Sequence, residues 1–220
     1  MNESVGVRAD PVADRIVHLT QLEPLAEERL AGPTWDYVAG GAADEHTLED
    51  NVAGWSRIKL APHTLVDVSH IDTTTTLLGH ALAHPILIAP TARHTAYHPD
   101  GEAATIRGAK AAEALYVQSS LGGTGLTEVA DAARSADQPW WFQLYIQRDR
   151  DWTQELVERA VAAGATGLAV TVDTPTLGAR DRDKRDNLGA AAGAFYPILD
   201  GAPVLPDATP AHRRIYNPHL

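Results

Sequence analysis

The sequence predicts an α/β fold built on a parallel sheet and preceded by a small helical cap. Three observations predict it. Apolar runs of strand length begin at residues 86, 115, 141 and 167, at near-equal intervals. A helix-patterned stretch fills each gap, and parallel neighbours need such crossovers. With 220 residues and 44% hydrophobic content, the chain can bury the core of one sizeable domain or two small ones. A doubly wound sheet and a (β/α)8 barrel both satisfy this pattern.

The cap comes first. Met1–Thr20 is polar. Leu22–Leu30 places Leu22, Leu25, Ala26 and Leu30 on one side with acids between, a short amphipathic helix. Thr34 is an N-cap candidate for a second helix that ends at Gly40-Gly41. Glu45–Trp55 has the pattern of a third, and Pro62 to Thr76 is a Pro- and Thr-rich extended segment. The sheet follows. Pro85–Ala89 is a strand, and Pro99-Asp100-Gly101-Glu102 opens an alanine-rich helix through about Ala114. Leu115–Ser119 is the second strand and Leu126–Arg134 the next helix. Trp141–Tyr145 is the third strand. Asp151 and Gln154 resemble a capping box for the helix that runs to Gly164. Gly167–Val172 is the fourth, expected to be buried and to stop at Pro175. The boundaries are therefore 1–84 for the cap and extended segment, 85–180 for the strand–helix units, and 181–220 for a long, flexible loop. Within that loop, Asp181–Asn187 is a charged run of the kind that forms a solvated face.

Strand periodicity assigns the faces. Leu115, Val117 and Ser119 share one, as do Trp141, Gln143 and Tyr145, and Ala169, Thr171 and Asp173. Each strand delivers a polar residue near its C-terminal end, where ligands bind in both architectures. At the fourth strand, Thr171, Asp173 and the returning Arg180 read either as a site or as a structural threonine with a capping aspartate. Pro90-Thr91-Ala92 at the first strand end is a ligand platform or a plain turn.

Composition excludes several functions. A formal charge of −11 argues against nucleic acid and against anionic membrane surfaces. No cysteine is present, so disulfide, thiolate and Cys-based zinc chemistry are ruled out, and a cytoplasmic setting fits. No apolar run is long enough to span a membrane, and the first residues carry no signal-peptide pattern. Gly123-Thr124-Gly125 lacks the third glycine of a dinucleotide fingerprint, since position 128 is Glu. His94 and His98 lie in a loop beside Pro99, and no His-Glu-x-x-His occurs, so no metal site is expected.

Six motifs together resemble one family. They are Trp35–Ala42 (WDYVAGGA), Val66–Asp72 (VDVSHID), Ile88–Ala92 (IAPTA), His98–Glu102 (HPDGE), Phe142–Tyr145 (FQLY) and Thr171–Pro175 (TVDTP). They occur in the same order in the FMN-dependent 2-hydroxy acid oxidases and dehydrogenases, and the resemblance runs from about Leu22 to Asn187. It implies the N-terminal half of a (β/α)8 barrel, about four strand–helix units behind the helical cap, with FMN as cofactor. Carried over by position, Pro90, Thr91 and Ala92 lie against the flavin. Ser119, Gln143 and Thr171 hydrogen-bond its polar edge. Tyr37 and Tyr145 face the substrate, and Arg180 assists in binding its carboxylate. Asp173 is the carboxylate that orients the catalytic histidine, and Asp173 and Tyr145 are the implied catalytic residues. The substrate class is a small 2-hydroxy acid.

The departures are equally specific. The family's lysine near the flavin, its His-Gly-Gly-x-Arg motif and its glycine-rich phosphate site have no match in the sequence. Leu121 stands where the family often has an aromatic residue, and Ala179-Arg180 where it has paired arginines. Little or no turnover is therefore expected of the chain alone. Two unpaired strand edges are expected to invite self-association or a complementary C-terminal half. A non-catalytic interaction or regulatory half-barrel is the alternative reading. A phosphate-binding barrel enzyme of another class lacks support, because its phosphate loops would lie beyond these strands.

Overall fold

A computed structural model of the chain describes residues 16–173, 178–185 and 196–201. The strand stop expected at Pro175, the polar start at 1–15, and residues 186–195 and 202–220 of the expected loop lie outside the described residues. Three helices open the fold: α1 (Leu22–Arg29), α2 (Gly32–Ala39) and α3 (His46–Arg57). A hairpin follows, β1 (Thr75–Leu77) and β2 (His80–Leu82). Then come β3 (Leu87–Ile88), α4 (Gly101–Ala111), β4 (Leu115–Ser119), α5 (Leu126–Ala136), β5 (Trp140–Tyr145), α6 (Arg150–Ala162) and β6 (Leu168–Thr171). A short helix, α7 (Asp181–Arg185), and a 3-10 turn, Pro197–Leu199, complete the described elements.

The four strands β3 to β6 form one parallel sheet whose spatial order is the chain order. A doubly wound sheet reverses that order at a switch point. An unreversed parallel sheet winds as a barrel does, and here it makes about half of one. Its helices lie on one side. Ile106 and Ala109 of α4, Val129 and Ala133 of α5, and Trp152, Leu156 and Ala160 of α6 pack against Tyr116, Trp140, Phe142 and Leu144. The other face carries a smaller apolar plug of Leu82, Leu115, Val117 and Trp141. Leu82 comes from the hairpin, and His80 meets Trp141 edge-on at 5.6 Å. The plug sits at the N-terminal ends of β4 and β5. The C-terminal ends on that face are left to polar side chains.

Several expectations are corrected. Leu78 and Gly79 both take positive φ, 48° and 86°, and turn what read as an extended segment into a tight hairpin. Thr34 lies inside α2; the N-cap is Ala31, with Pro33 in the first turn. Asp149, not Asp151, caps α6, its side chain accepting from the Trp152 N–H at 2.9 Å. Leu22–Leu30 is helical as expected, with Leu25, Ala26 and Leu30 half-buried and Leu22 exposed, but α1 to α3 contain no fully buried residue. The fourth strand is not buried on both faces. Leu168 and Val170 are exposed, because β6 is an edge strand and no described helix covers that side. The charged run after Arg180 is helical over Asp181–Arg185, and Asp183 is buried. Farther along, Ile198 and Leu199 are fully buried in the helix-side core. Burying each contributes about 1.5–3 kcal/mol, which ties this part of the expected loop to the barrel wall.

Candidate functional site at the strand C-terminal ends

The register brings the polar strand ends side by side. Ser119 pairs with Gln143, Gln143 with Ala169, and Tyr145 with Thr171. The buried Gln143 amide links three strands. Its Oε1 accepts from the Ser119 hydroxyl and the Ser120 N–H, each at 3.2 Å. Its Nε2 donates to Thr171 Oγ1 at 2.7 Å. Ser119 Oγ in turn accepts from the Leu121 N–H at 3.1 Å. The sequence singled out Ser119, Gln143 and Thr171 separately, and the fold joins them in one chain of hydrogen bonds. Tyr145 is half-buried beside Thr171, and Asp173 is exposed just beyond β6. Pro90 and Thr91 are exposed and Ala92 half-buried after β3. Among the described residues no hydrogen bond uses the Ala92 N–H.

The cap reaches the same rim. Arg180 donates to the Tyr37 carbonyl through Nη2. Its guanidinium carbon lies 4.9 Å from the Tyr37 ring centroid, and its Nε donates to the buried Asp183 at 2.8 Å. The carboxylate that Arg180 meets here is thus supplied by α7. Arg182 adds an ion pair to Glu45 at 2.7 Å. The Gly41 N–H and Arg182 together hold the Glu45 carboxyl below its usual range. Gly40 permits this closeness, since a Cβ there would stand 2.5 Å from the Asp36 carbonyl and 3.0 Å from Arg182 Cδ.

Four residues of the region escaped sequence reasoning. Arg93 directly follows Ala92, and its guanidinium carbon is 5.7 Å from the same Tyr37 ring. Burial raises the Tyr97 phenol, as does Tyr37, while Arg93 and Arg180 pull it back. Tyr196 is raised by burial, lowered by Arg93 and raised again by Tyr37, Tyr97 and Tyr145. Each of the two phenols thus feels the charge of Arg93 and of its tyrosine neighbours. Glu102, fully buried at the start of α4, accepts from the Gly123 N–H and the Thr124 hydroxyl, each at 2.6 Å. It occupies the donors of the Gly123-Thr124-Gly125 turn, so that turn holds a protein carboxylate where a nucleotide fingerprint would hold phosphate. His94 Nδ1 is engaged with Thr105, and the described residues contain no metal-ligating cluster. None of their helices is long and apolar enough to cross a membrane.

Comparison with known proteins decides the family. Residues 26–200 match the family model described as FMN-dependent dehydrogenase. The chain belongs to this family. It is 46% identical over 184 residues to an L-lactate oxidase of Nostoc sp., covering 83% of this chain and 50% of that protein. It is 42% identical over 172 residues to a peroxisomal (S)-2-hydroxy-acid oxidase of Oryza sativa subsp. japonica, covering 78% and 46%. A mandelate oxidase crystal structure with (S)-2-phenylpropionate superposes with a TM-score of 0.77 at 33% identity, covering 86% of this chain and 56% of that one. The chain thus spans about half the length of the relatives it matches.

The family's cofactor is FMN, and the residues present fit it. The polar edge of a flavin ring alternates carbonyl and ring-nitrogen acceptors with an N–H donor. A buried amide flanked by two hydroxyls offers both kinds of partner, and Ser119, Gln143 and Thr171 are such a set. The Ala92 N–H, without a hydrogen bond among the described residues, adds a backbone donor at the neighbouring strand end.

Proposed function

We propose that this chain forms the flavin-facing half of an FMN-dependent 2-hydroxy acid oxidoreductase. The observation that carries this reading is the Ser119–Gln143–Thr171 chain at the C-terminal ends of β4, β5 and β6. Bound FMN would supply the hydride acceptor for the substrate's α-carbon. The chain's own residues do the rest of what this half can do. Ser119, Gln143 and Thr171 orient the polar edge of the ring, and Ala92 offers its N–H. Tyr37 and Tyr145 present phenols to the substrate's hydroxyl and carboxylate. Arg180, anchored by Asp183, adds fixed positive charge. Asp173 would orient the imidazole of the base, and an aspartate there favours its charged form. The reaction needs such a base to take the hydroxyl proton. With no His-Gly-Gly-x-Arg sequence in the chain, we propose little or no turnover by the chain alone.

The test is an absorbance spectrum after gel filtration in the presence of FMN, with and without a complementary half carrying that motif. A retained flavin band, and oxidation of lactate, glycolate or mandelate only in the mixture, are the expected results. A colourless chain in both samples would overturn the reading, and turnover by the chain alone would overturn its inactive part.

A second reading, a non-catalytic interaction fragment, is favoured by the apolar outer side of β6. Leu168 is 40% exposed and Val170 45%, and Val172, just past the strand, 83%. β6 is also an edge strand among the described residues, and a second copy or a complementary half can pair with that edge while covering this face. Sedimentation of the purified chain separates self-association from monomers. The acidic, cysteine-free composition supports a cytoplasmic setting, and a fluorescent fusion would distinguish it from the peroxisomal one in the name of the Oryza sativa relative.

A further inference from the structure

Two guanidiniums stand against the Tyr37 ring, and they differ in how their charge is met. Arg180 has Asp183 and the Tyr37 carbonyl. Arg93 is half-buried, and no carboxylate pairs with it among the described residues. The ring gives it about 0.5–2 kcal/mol, short of what a partly desolvated cation loses from water. In a chain with 29 acids against 18 lysines and arginines, a half-buried cation at the rim with no acid paired to it among the described residues is conspicuous.

Its position is also held. The Arg93 backbone is in the left-handed region, φ 59°, which costs a non-glycine residue about 1–2 kcal/mol. Two hydrogen bonds keep it there: its N–H donates to the Leu121 carbonyl at 3.1 Å, and its carbonyl accepts from the Ala96 N–H at 2.8 Å. The side chain therefore leaves from a fixed point one residue past Ala92. The Leu121 side chain packs against the helix-side core, so it does not screen Arg93 at this rim. The Tyr37 ring lies against the guanidinium, and the Tyr97 and Tyr196 phenols feel its charge; phenols donate to oxyanions.

We propose that Arg93 is a specificity-determining residue, placed to bind a second anionic group on the substrate, so that the site favours 2-hydroxy acids carrying another carboxylate. This deepens the proposed function and rests on it. Arg93 then meets the second charge of a short dicarboxylate. A guanidinium meeting a carboxylate in a partly desolvated site is among the stronger polar interactions, about tenfold or more in affinity.

Calorimetry on the FMN-saturated chain tests this with malate and 2-hydroxybutyrate, matched in carbon number and differing in the second carboxylate. Malate is expected to bind at least about tenfold tighter. Arg93→Met should remove that preference while leaving 2-hydroxybutyrate unchanged, and Arg93→Lys should keep part of it. Circular dichroism confirms that both variants are folded. Equal affinities in the parent chain, or a malate preference that survives Arg93→Met, would overturn the inference and leave the flavin reading standing. Retained flavin with neither acid bound would do the same. Loss of both flavin and acid binding would overturn the two together.

Discussion

Arg180 and Tyr37, 143 positions apart in the chain, are joined twice, once through the Tyr37 carbonyl and once across its ring. The segment after β6 thereby holds the helical cap over the strand ends. Asp183 completes the joint. It is 3% exposed, one of its oxygens meets Arg180, and the other has no hydrogen-bond partner among the described residues. Removing the arginine leaves that carboxylate buried without its cation. Arg180→Met should destabilise the fold by about 2 kcal/mol, below the figure for a fully buried pair because Arg180 is itself partly exposed. Urea unfolding checks this. Asp183→Asn in the Arg180→Met background should recover part of the loss, and additive effects would count against the joint.

Gln143 is the other linchpin, since its amide faces both neighbours. In Gln143→Leu the Ser119 hydroxyl loses its acceptor and the Thr171 hydroxyl its donor in a buried setting. The expected cost is about 1–3 kcal/mol. Flavin retention after desalting should fall by more than this stability change explains, because the same amide is the proposed ring partner. A variant that unfolds earlier but keeps its flavin band would separate the structural role from the binding one.

What the sequence revealed followed periodicity, and what it hid depended on distance. Leu115–Ser119 was legible because five strand-compatible residues lie between an alanine-rich helix and a Ser-Ser turn. The alternation of Trp141, Gln143 and Tyr145 assigned their face correctly for the same local reason. The hairpin was missed because Leu78 takes a positive φ that leucine does not advertise. The Asp183 contact was missed because a charged run shows no sign of which acid turns inward. Glu102 looked like a helix-start acid, and only the fold brings it to Gly123 and Thr124. Arg93 is silent for the same reason: its meaning comes from Tyr37, which belongs to the cap.

Two glycines should respond oppositely to alanine. A Cβ at Gly167 would stand 2.7 Å from Trp141 Nε1, and Trp141 is packed into the inner plug. Gly167→Ala should therefore cost about 1–3 kcal/mol as the indole is forced to move. Gly108 lies on the exposed side of α4 with nothing within 4 Å of an added Cβ. Gly108→Ala should stabilise by about 0.5–1 kcal/mol through helix propensity. Thermal unfolding midpoints moving down for the first and up for the second are the expected pair. Equal shifts would mean that the Trp141 contact is not limiting.

Alkaline pH should act through Tyr116. Its ring is buried at 1% exposure, its hydroxyl donates to Gln118 Oε1 at 2.8 Å, and burial, with Glu102 nearby, pushes its phenol far above the ordinary 10.0. The unfolded chain releases that proton near pH 10, while the folded chain retains it. Above that pH the unfolded state binds fewer protons, so stability falls as pH rises. The contribution is whole below pH 10 and is lost progressively toward the raised folded value, at about 1.4 kcal/mol per pH unit for one group. Tyr97 and Tyr196, also raised, add to the decline. Tyr116→Phe should cost about 1 kcal/mol at neutral pH through the lost hydrogen bond, yet flatten the slope above pH 10. Urea midpoints measured from neutral pH to about pH 11 test this, and an unchanged alkaline slope in Tyr116→Phe would assign the decline to other groups.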